Sequence, residues 1–412
     1  MYRCITELKA LAINIDSFID TDFSKWSEIV GSYRCLFFTS NGKTQQELAG
    51  LYGAQSVFYI SEFLTNLAPT PMMHMHALNL LKVHTTELAY VSCSISFLKN
   101  ALTFYSGTIW ITDHISYENI STSPDILCPD FSYFKEYLKT GAGGYFGESI
   151  VSGDSGNNRI MVSVALQNTP NIRMRVLGRY YSYSHYMKQK HRYSSAIYLN
   201  KNRNSKAFGK FNDVFLRIYK SAIRSILKNT PIDGICSVPP HLGESNRFHG
   251  ILEDIAKECN IENMENYFHC TKEYPKQKGR SSTDRPENIF DVFTFDKRLD
   301  GKNIVILDDV VTTGSTIREC SRILYNAGAK NIYPVVLAIN QFPGNYWSSE
   351  VPDVLCPYCD SPMKLLVNSK TKAFFYSCPD CGANRNYDMA WQDFCDTVNS
   401  QVFETDQEED QF

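Results

Sequence analysis

At residues 304–316 the chain reads Ile-Val-Ile-Leu-Asp-Asp-Val-Val-Thr-Thr-Gly-Ser-Thr. The apolar residues at its start predict a buried parallel strand, because strands covered on both faces read as continuous hydrophobic runs. Asp308 and Asp309 follow at the carboxyl end of this strand, and a hydroxyl-rich turn leads into a helix that begins near Ser315. A second apolar strand, residues 332–339, completes a βαβ unit. We therefore predict a ligand site at this turn, where open α/β sheets bind their ligands.

The turn suits a phosphate group, and the carboxylates suit a sugar. Backbone N–H groups of residues 313–316 are expected to point out of a helix N-terminus and form an anion site, to which the hydroxyls add donors. Adjacent carboxylates would be a poor choice beside phosphate alone. They fit a ligand whose vicinal sugar hydroxyls, or an associated Mg²⁺, lie next to that phosphate.

The whole stretch resembles the phosphoribosyl-pyrophosphate (PRPP) binding signature of type I phosphoribosyltransferases. The resemblance implies that Asp308 and Asp309 are catalytic residues that contact the ribose hydroxyls. It assigns PRPP binding to the positions that follow: Val310, Val311, Thr312, Thr313, Gly314, Ser315 and Thr316. Some purine-salvage members carry an acidic base where Thr312 stands, so this residue argues against purine salvage.

The same resemblance implies a reaction. A nucleophile would displace pyrophosphate from C1 of PRPP in a Mg²⁺-dependent step with an oxocarbenium-like transition state. The protein would then act mainly by positioning the substrates and stabilising charge.

Residues 235–250 resemble the competence-F (ComF) branch of that family. They have the strand-loop-helix form of a pyrophosphate-binding loop, and the resemblance assigns that role to Pro240, His241, Leu242 and Gly243. Arg247-Phe248-His249-Gly250 is a scrambled version of an Arg-Gly-Phe-Asn-like segment of that branch.

A polar, basic stretch at residues 272–288 also matches the ComF branch in part. It includes Lys278, Arg280 and Arg285, and a loop of this length suits a lid that closes over a polyanion and excludes water. A disordered surface loop is the alternative interpretation.

Paired cysteines occur near the end of the chain, as Cys356-Pro-Tyr-Cys359 and Cys378-Pro-Asp-Cys381. Their spacing is typical of a four-thiolate zinc site, and the residues between them predict a hairpin that places the pairs side by side as a zinc ribbon. Four thiolates close the coordination sphere, which favours structural Zn²⁺ over catalytic zinc. Bound metal would supply much of the stability of so small a unit.

The first 140 residues alternate strand-like and helix-like stretches in an order that resembles a haloacid-dehalogenase (HAD) domain. The nucleophilic aspartate of that family falls on Asn14, which cannot form an acyl phosphate, and its metal-binding acids fall on Cys93 and Ser96. Asp16, Thr39 and Lys82 match the remaining positions. Without nucleophile and metal acids, phosphoryl transfer is chemically implausible, so we predict a domain that is not an active phosphatase and is retained for binding or assembly. A generic α/β sandwich is the alternative.

Charge is distributed unevenly along the chain. The net charge is -3, but residues 171–230 hold 14 Lys/Arg against Asp213 alone, whereas residues 1–150 hold 9 Lys/Arg against 14 Asp/Glu. The positive segment is also rich in tyrosine. It suits either single-stranded nucleic acid, through stacking and phosphate contacts, or a hood packed over the transferase with tyrosines in its core; we favour the hood.

These patterns divide the chain into five parts. We predict a HAD-like Rossmannoid α/β domain at 1–145, a Tyr-rich basic bridge or hood at 146–204, and a phosphoribosyltransferase domain with a doubly wound parallel sheet at 205–345. A zinc ribbon at 350–395 and an acidic tail at 396–412 complete the chain. No apolar run is long enough for a membrane span, and no secretory signal is visible, so we expect a cytoplasmic protein without membrane association. Of its 13 cysteines, nine are expected to be free thiols.

Two functions follow from these features. The first is a PRPP-binding phosphoribosyltransferase with an unidentified acceptor. The second is a nucleic-acid-associated adaptor or sensor, in DNA uptake or anti-phage defence, that binds PRPP or a nucleotide without turnover. A single-stranded nucleic acid, a protein partner or a homo-oligomer are all open at this point.

Overall fold

A computed structural model describes most of the chain between residues 8 and 341, and parts of the cysteine-bearing region. The gaps within 8–341 are 20–21, 60–68, 70, 105, 142–143, 153–159, 167–168, 183–190, 203–204 and 274–288; beyond them, residues 356, 358–359, 361, 363–367 and 374–386 are described. The predicted lid residues Lys278, Arg280 and Arg285 and the acidic tail at 396–412 therefore lie outside the described residues.

The strands and helices of the described residues are as follows. The strands are β1 (Ala10–Asn14), β2 (Arg34–Thr39), β3 (Val57–Tyr59), β4 (Leu88–Ser92), β5 (Gly107–Ile111), β6 (Ile126–Cys128), β7 (Val162–Leu166), β8 (Thr169–Val176), β9 (Arg179–Tyr181), β10 (Gly234–Ser237), β11 (Glu262–Asn263), β12 (Phe268–Cys270), β13 (Phe293–Phe295), β14 (Asn303–Val311), β15 (Asn331–Gln341), β16 (Lys364–Val367), β17 (Phe374–Ser377) and β18 (Asn384–Asn386). The helices are α1 (Ser27–Ser32), α2 (Gly42–Tyr52), α3 (Pro71–Leu81), α4 (Ile95–Ala101), α5 (Tyr117–Ile120), α6 (Phe131–Thr140), α7 (Phe146–Val151), α8 (Arg192–Lys201), α9 (Asn212–Leu227), α10 (His249–Cys259) and α11 (Ser315–Asn326).

The first sheet has the order β3-β2-β1-β4-β5-β6 among the described residues, and its strands are all parallel. Alternate residues of β1 pack into different apolar clusters, Ala10 and Ala12 into one and Leu11 and Ile13 into the other. Because successive strand residues face opposite sides, both faces of this sheet are covered. The strand order reverses between β1 and β4, so a crevice opens where these two strands end.

The second sheet has the order β11-β10-β14-β15-β8-β7, and β9 pairs with the end of β15. All of its pairings are parallel except that of β7 with β8. β14 lies inside the sheet, which explains its apolar sequence. The strands β7 to β9 come from the stretch predicted as a bridge or hood, so this sheet extends across residue 205.

Within the described part of the chain, two small antiparallel sheets are not hydrogen-bonded to the larger sheets. β12 and β13 pair as a hairpin on either side of the undescribed 274–288 segment, and β16, β17 and β18 form a sheet around the paired cysteines.

The two parallel sheets share an apolar core. One cluster of buried residues combines Tyr90 and Trp110 of the first sheet with Val164, Met174 and Val336 of the second. The N-terminal unit therefore packs directly against the second sheet. No helix within the described ranges combines the length and the apolar character needed to cross a bilayer.

Candidate functional site

Asp308 and Asp309 lie near the end of β14, and their side chains are held by backbone donors. The N–H of Asp309 donates to Asp308 Oδ1 at 2.8 Å, and the N–H of Val310 donates to Asp309 Oδ1 at 2.7 Å. Tyr219 Oη donates to the Asp308 carbonyl at 2.7 Å, which ties α9 to the strand. Both acidic residues are buried. The carboxylates are thus placed by the strand itself.

Two cations from distant parts of the chain contact this pair. Arg247 Nη2 lies 2.9 Å from Asp309 Oδ2 and 3.6 Å from Asp308 Oδ1. Lys201, the last residue of α8, places its Nζ 3.6 Å from Asp309 Oδ2 and 5.2 Å from the ring centroid of Tyr180. We did not select either cation as a site residue from the sequence. In the sequence, Arg247 is indicated only by its place in the scrambled ComF-like segment. Lys201 is indicated only by the positive charge of residues 171–230.

The two carboxyl groups differ in acidity. Burial and the negative charge of Asp309 raise the pKa of Asp308 to about 7. Burial also opposes ionisation of Asp309, but Arg247 and Lys201 outweigh it and hold the pKa of Asp309 below its ordinary value. Near neutral pH the pair therefore presents a partly protonated carboxyl beside a carboxylate. Such a pair offers both a donor and acceptors to neighbouring hydroxyls.

The turn after β14 is fixed by Gly314, which caps α11. Its φ of 74° and ψ of 4° lie in the left-handed region, which glycine adopts without steric cost. Thr313 Oγ1 and Ser315 Oγ lie 2.9 Å apart in a hydrogen bond across the turn. The N-terminus of an α-helix presents backbone N–H groups and the positive end of the helix dipole, so this end of α11 can bind an anion.

The predicted pyrophosphate loop lies at the same edge of the sheet. Ser237 at the end of β10 is paired with Leu307, and the N–H of Val238 donates to the Leu307 carbonyl at 2.9 Å, so the loop begins beside the carboxylates. Pro240, His241, Leu242 and Gly243 line a cavity of about 270 Å³. Residues 265, 266 and 268–270 form another part of the cavity lining. The loop, the carboxylates and the phosphate turn thus follow neighbouring parallel strands at one edge of the sheet, but the carboxylates and the turn do not line this cavity.

The four paired cysteines form a cluster. The sulfur atoms of Cys356, Cys359, Cys378 and Cys381 all lie within 4.8 Å of one another. Each pair sits on a turn closed by a backbone hydrogen bond, from Cys356 to Ser361 at 2.9 Å and from Cys378 to Ala383 at 2.8 Å. Four such sulfurs could bind a metal such as zinc.

In the N-terminal unit, several residues that match HAD positions lie at the crevice between β1 and β4. Asn14 Nδ2 donates to Ser92 Oγ at 3.2 Å, and the Asp16 carboxylate accepts hydrogen bonds from Thr39 Oγ1 and from the Ser40 N–H. Lys82 does not join them. Its carbonyl accepts a hydrogen bond from Arg34, the first residue of β2, and so lies at the opposite edge of the sheet. The match of Lys82 to a HAD position was therefore wrong.

The positive segment 171–230 has many partners inside the fold. Acidic or hydroxyl groups of this chain contact the cationic side chains of Arg173, Arg175, Arg179, Lys201, Lys220 and Arg224. Tyr180, Tyr181 and Tyr193 are buried. Arg179 and these tyrosines are thus part of the protein interior, whereas other cations of the segment, among them Arg173, Arg217 and Arg224, remain exposed.

Residues 267–347 match the protein family described as the phosphoribosyl transferase domain. These are 81 of the 412 residues of the chain. The match includes Asp308, Asp309 and the Gly314 turn, and it begins after the predicted pyrophosphate loop. Together with the parallel sheet, it supports the predicted type I transferase fold.

Curated relatives match over short stretches. Competence protein F of Haemophilus influenzae is 29% identical over 85 residues, which cover 20% of this chain and 37% of that protein. A ribose-phosphate pyrophosphokinase of Sulfolobus acidocaldarius is 46% identical over 37 residues, 9% of this chain and 13% of that protein. The chain thus spans little more than a third of the first relative and less of the second. The first match supports the ComF-like character of the transferase domain.

Solved structures of phosphoribosyltransferases are similar to this chain only with low TM-scores. Adenine phosphoribosyltransferase from Saccharomyces cerevisiae has a TM-score of 0.22 and 15% identity, covering 31% of this chain and 67% of that one. The enzyme from Trypanosoma brucei has a TM-score of 0.24 and 14% identity, covering 44% and 86%.

Proposed function

We propose that this protein binds PRPP and transfers its phosphoribosyl group to an acceptor with loss of pyrophosphate. The observation that carries the proposal is the convergence of the Asp308–Asp309 pair, the Gly314 turn and the 240–243 loop at one edge of the second sheet. In this arrangement the turn binds the 5′-phosphate, the carboxyl pair binds the ribose hydroxyls, and the loop binds the pyrophosphate.

Arg247 and Lys201 suit a ligand that brings its own negative charge. Both neutralise Asp309 in the ligand-free protein. A diphosphate entering the site offers them a second anionic partner, while the sugar hydroxyls occupy the carboxyl groups. The cations then stabilise the negative charge that develops on the departing pyrophosphate.

Mg²⁺ fits the donors of this site. The carboxylate oxygens of Asp308 and Asp309 are hard ligands of the kind that bind Mg²⁺ together with substrate phosphates. The metal would neutralise diphosphate charge, and the residues of this chain would position the sugar for attack at C1. Asp308 and Asp309 are the residues that would hold it.

Calorimetry with PRPP and Mg²⁺ tests the proposal. We expect the wild type to bind and the double variant Asp308→Asn/Asp309→Asn to lose binding. Asp300→Asn is a matched control, because Asp300 is an exposed carboxylate whose side chain is 72% accessible. Equal binding by the wild type and the double variant would refute the assignment.

We infer that the remaining parts have supporting roles. The cysteine cluster would hold structural Zn²⁺ in a ribbon, and the N-terminal unit would be a HAD-like domain without phosphatase activity, since Asn14 stands where a nucleophile is needed. Incubation of the purified protein with a general phosphatase substrate should show no turnover above that of an Asn14→Ala variant.

A further inference from the structure

A buried charged cluster joins the N-terminal unit to the transferase domain. Arg179 donates from Nη1 to Asp125 Oδ1 and from Nη2 to Glu148 Oε2, each at 3.0 Å, and His191 Nε2 lies 3.2 Å from Glu148 Oε2. We call these four residues the Arg179 cluster. Their side chains are between 0% and 3% exposed. Such groups are held in place because any shift would leave a charge buried without its partner.

Each member of the Arg179 cluster belongs to a different element. Asp125 precedes β6 of the first sheet, and its second oxygen accepts from the N–H and the hydroxyl of Thr108 on β5, both at 3.0 Å. Glu148 lies on α7, Arg179 begins β9, and His191 caps the N-terminus of α8. Asp125 thus comes from the N-terminal unit, whereas Glu148, Arg179 and His191 come from elements that pack with the second sheet.

Arg179 and His191 anchor the two elements that carry Tyr180 and Lys201. Tyr180 follows Arg179 on β9, and Lys201 is the last residue of the helix that His191 caps. Lys201 Nζ contacts both the Tyr180 ring and Asp309 Oδ2. The hydrogen bond from the Tyr181 N–H to Ser194 Oγ, at 2.8 Å, fastens β9 to α8 beside the cluster. Lys201 is therefore connected, through α8 and β9, to a cluster that the N-terminal unit completes.

We propose that Asp125 of the N-terminal unit is a positioning residue for the phosphoribosyl site, acting through Arg179, β9 and α8 on Lys201. The N-terminal unit then has a function in the transferase that needs no chemistry of its own. The part of this proposal that concerns ligand affinity rests on the proposed function; the part that concerns the order of α8 does not.

Two measurements on full-length protein test it. Hydrogen exchange of α8 in the absence of ligand reports positioning, and calorimetry with PRPP and Mg²⁺ reports its consequence. We expect Asp125→Asn to increase α8 exchange and to weaken PRPP binding about tenfold. Thr108→Val removes two hydrogen bonds with Asp125, the one that the hydroxyl donates to Oδ2 and the one that it accepts from the Asp125 N–H. It leaves the carboxylate of Asp125 in place, so it should give the same changes in weaker form, which keeps the test usable if Asp125→Asn folds poorly.

Leu11→Ala is the matched control. Leu11 is fully buried in the same sheet, on the face away from the second unit, so its loss destabilises the N-terminal unit without touching the Arg179 cluster. We expect affinity to stay at the wild-type value, and any increase in α8 exchange to be no larger than the increase in the second sheet, because a general loss of stability is shared by both sheets. Unchanged α8 exchange in Asp125→Asn and Thr108→Val, or equal increases in Leu11→Ala, would overturn the proposal. If the wild type fails to bind PRPP, the proposed function fails, and the exchange data alone decide whether Asp125 positions α8.

Discussion

Asp308 and Asp309 are neighbours on one strand, yet they make opposite contributions to stability. The pKa of Asp308 is raised from 3.8 to about 7 by burial and by Asp309. A carboxyl whose pKa is higher in the folded protein favours folding when protonated, and this contribution is lost as pH rises from about 4 to about 7. The site is thus built at a cost in stability near neutral pH.

Replacing Asp308 should therefore stabilise the ligand-free protein in a pH-dependent way. The amide in Asp308→Asn is neutral and can still accept the hydrogen bond from the Asp309 N–H. We expect the free energy of unfolding of the variant to exceed that of the wild type by about 1–3 kcal/mol at pH 8 and to equal it at pH 4. Urea unfolding at the two pH values measures this difference in stability, and a difference that does not change with pH would contradict the prediction.

Asp309→Asn should lower stability instead, because it leaves Arg247 and Lys201 without their shared partner.

Gly314 allows a second prediction at the residue scale. Alanine at φ 74° costs about 1–2 kcal/mol, so Gly314→Ala should lower stability by that amount and weaken PRPP binding by distorting the turn. Gly50 is the control, since it lies within α2 with nothing within 4 Å of an added Cβ. Gly50→Ala should raise stability by about 0.5–1 kcal/mol and leave binding unchanged. Thermal unfolding measures the stability of both variants, and calorimetry measures their affinity for PRPP. Equal losses of stability and affinity in the two variants would count against a special role for the turn.

Elements whose sequence signal is local could be predicted, and those defined by packing could not. The strands around Asn14 and Asp308, and the helix at Ser315, lie within a few residues of the predicted positions because their apolar patterns are continuous. The contacts of Arg247 and Lys201 with Asp309 join residues that are far apart in sequence, and no local pattern encodes them. The pairing of β8 and β9 with β15 is equally non-local, so a stretch interpreted as a bridge supplies strands to the sheet.

The cysteine-bearing sheet gives a prediction at the element scale. If the four sulfurs hold Zn²⁺, the purified protein should contain zinc in a ratio of about one per chain. Cys378→Ser should lose the metal and increase hydrogen exchange in β16 to β18, because metal binding and folding are coupled in so small a unit. PRPP binding should be unaffected. Cys259→Ser is the control, since that thiol lies on α10 outside the cluster. Zinc content equal in both variants would show that the cluster does not bind it.

At the scale of the whole molecule, the shared core and the Arg179 cluster make the two parallel sheets interdependent. Ser123 and Gln341 add to this link, since the Ser123 N–H donates to Gln341 Oε1 at 2.9 Å and Gln341 Nε2 donates to the Ile120 carbonyl at 3.0 Å. Buried polar contacts of this kind constrain the geometry between the sheets more than apolar packing does, because each has a fixed direction. The sheets should therefore unfold in one transition.

Glu148→Gln tests that interdependence through its charge. Burial opposes ionisation of Glu148, but Arg179 and His191 outweigh it and lower its pKa to about 2. A carboxyl with a lowered pKa contributes stability above its unfolded value, near 4.5, and that contribution is lost as pH falls toward 2. The free energy of unfolding of the variant should thus be about 3–5 kcal/mol below that of the wild type at pH 7, where Arg179 is left with one carboxylate. The difference should be smaller at pH 3. Urea unfolding followed by tryptophan fluorescence and by circular dichroism should show coincident transitions shifted together. If the transitions separate in the variant and the first sheet keeps its wild-type midpoint, the cluster stabilises the transferase domain alone.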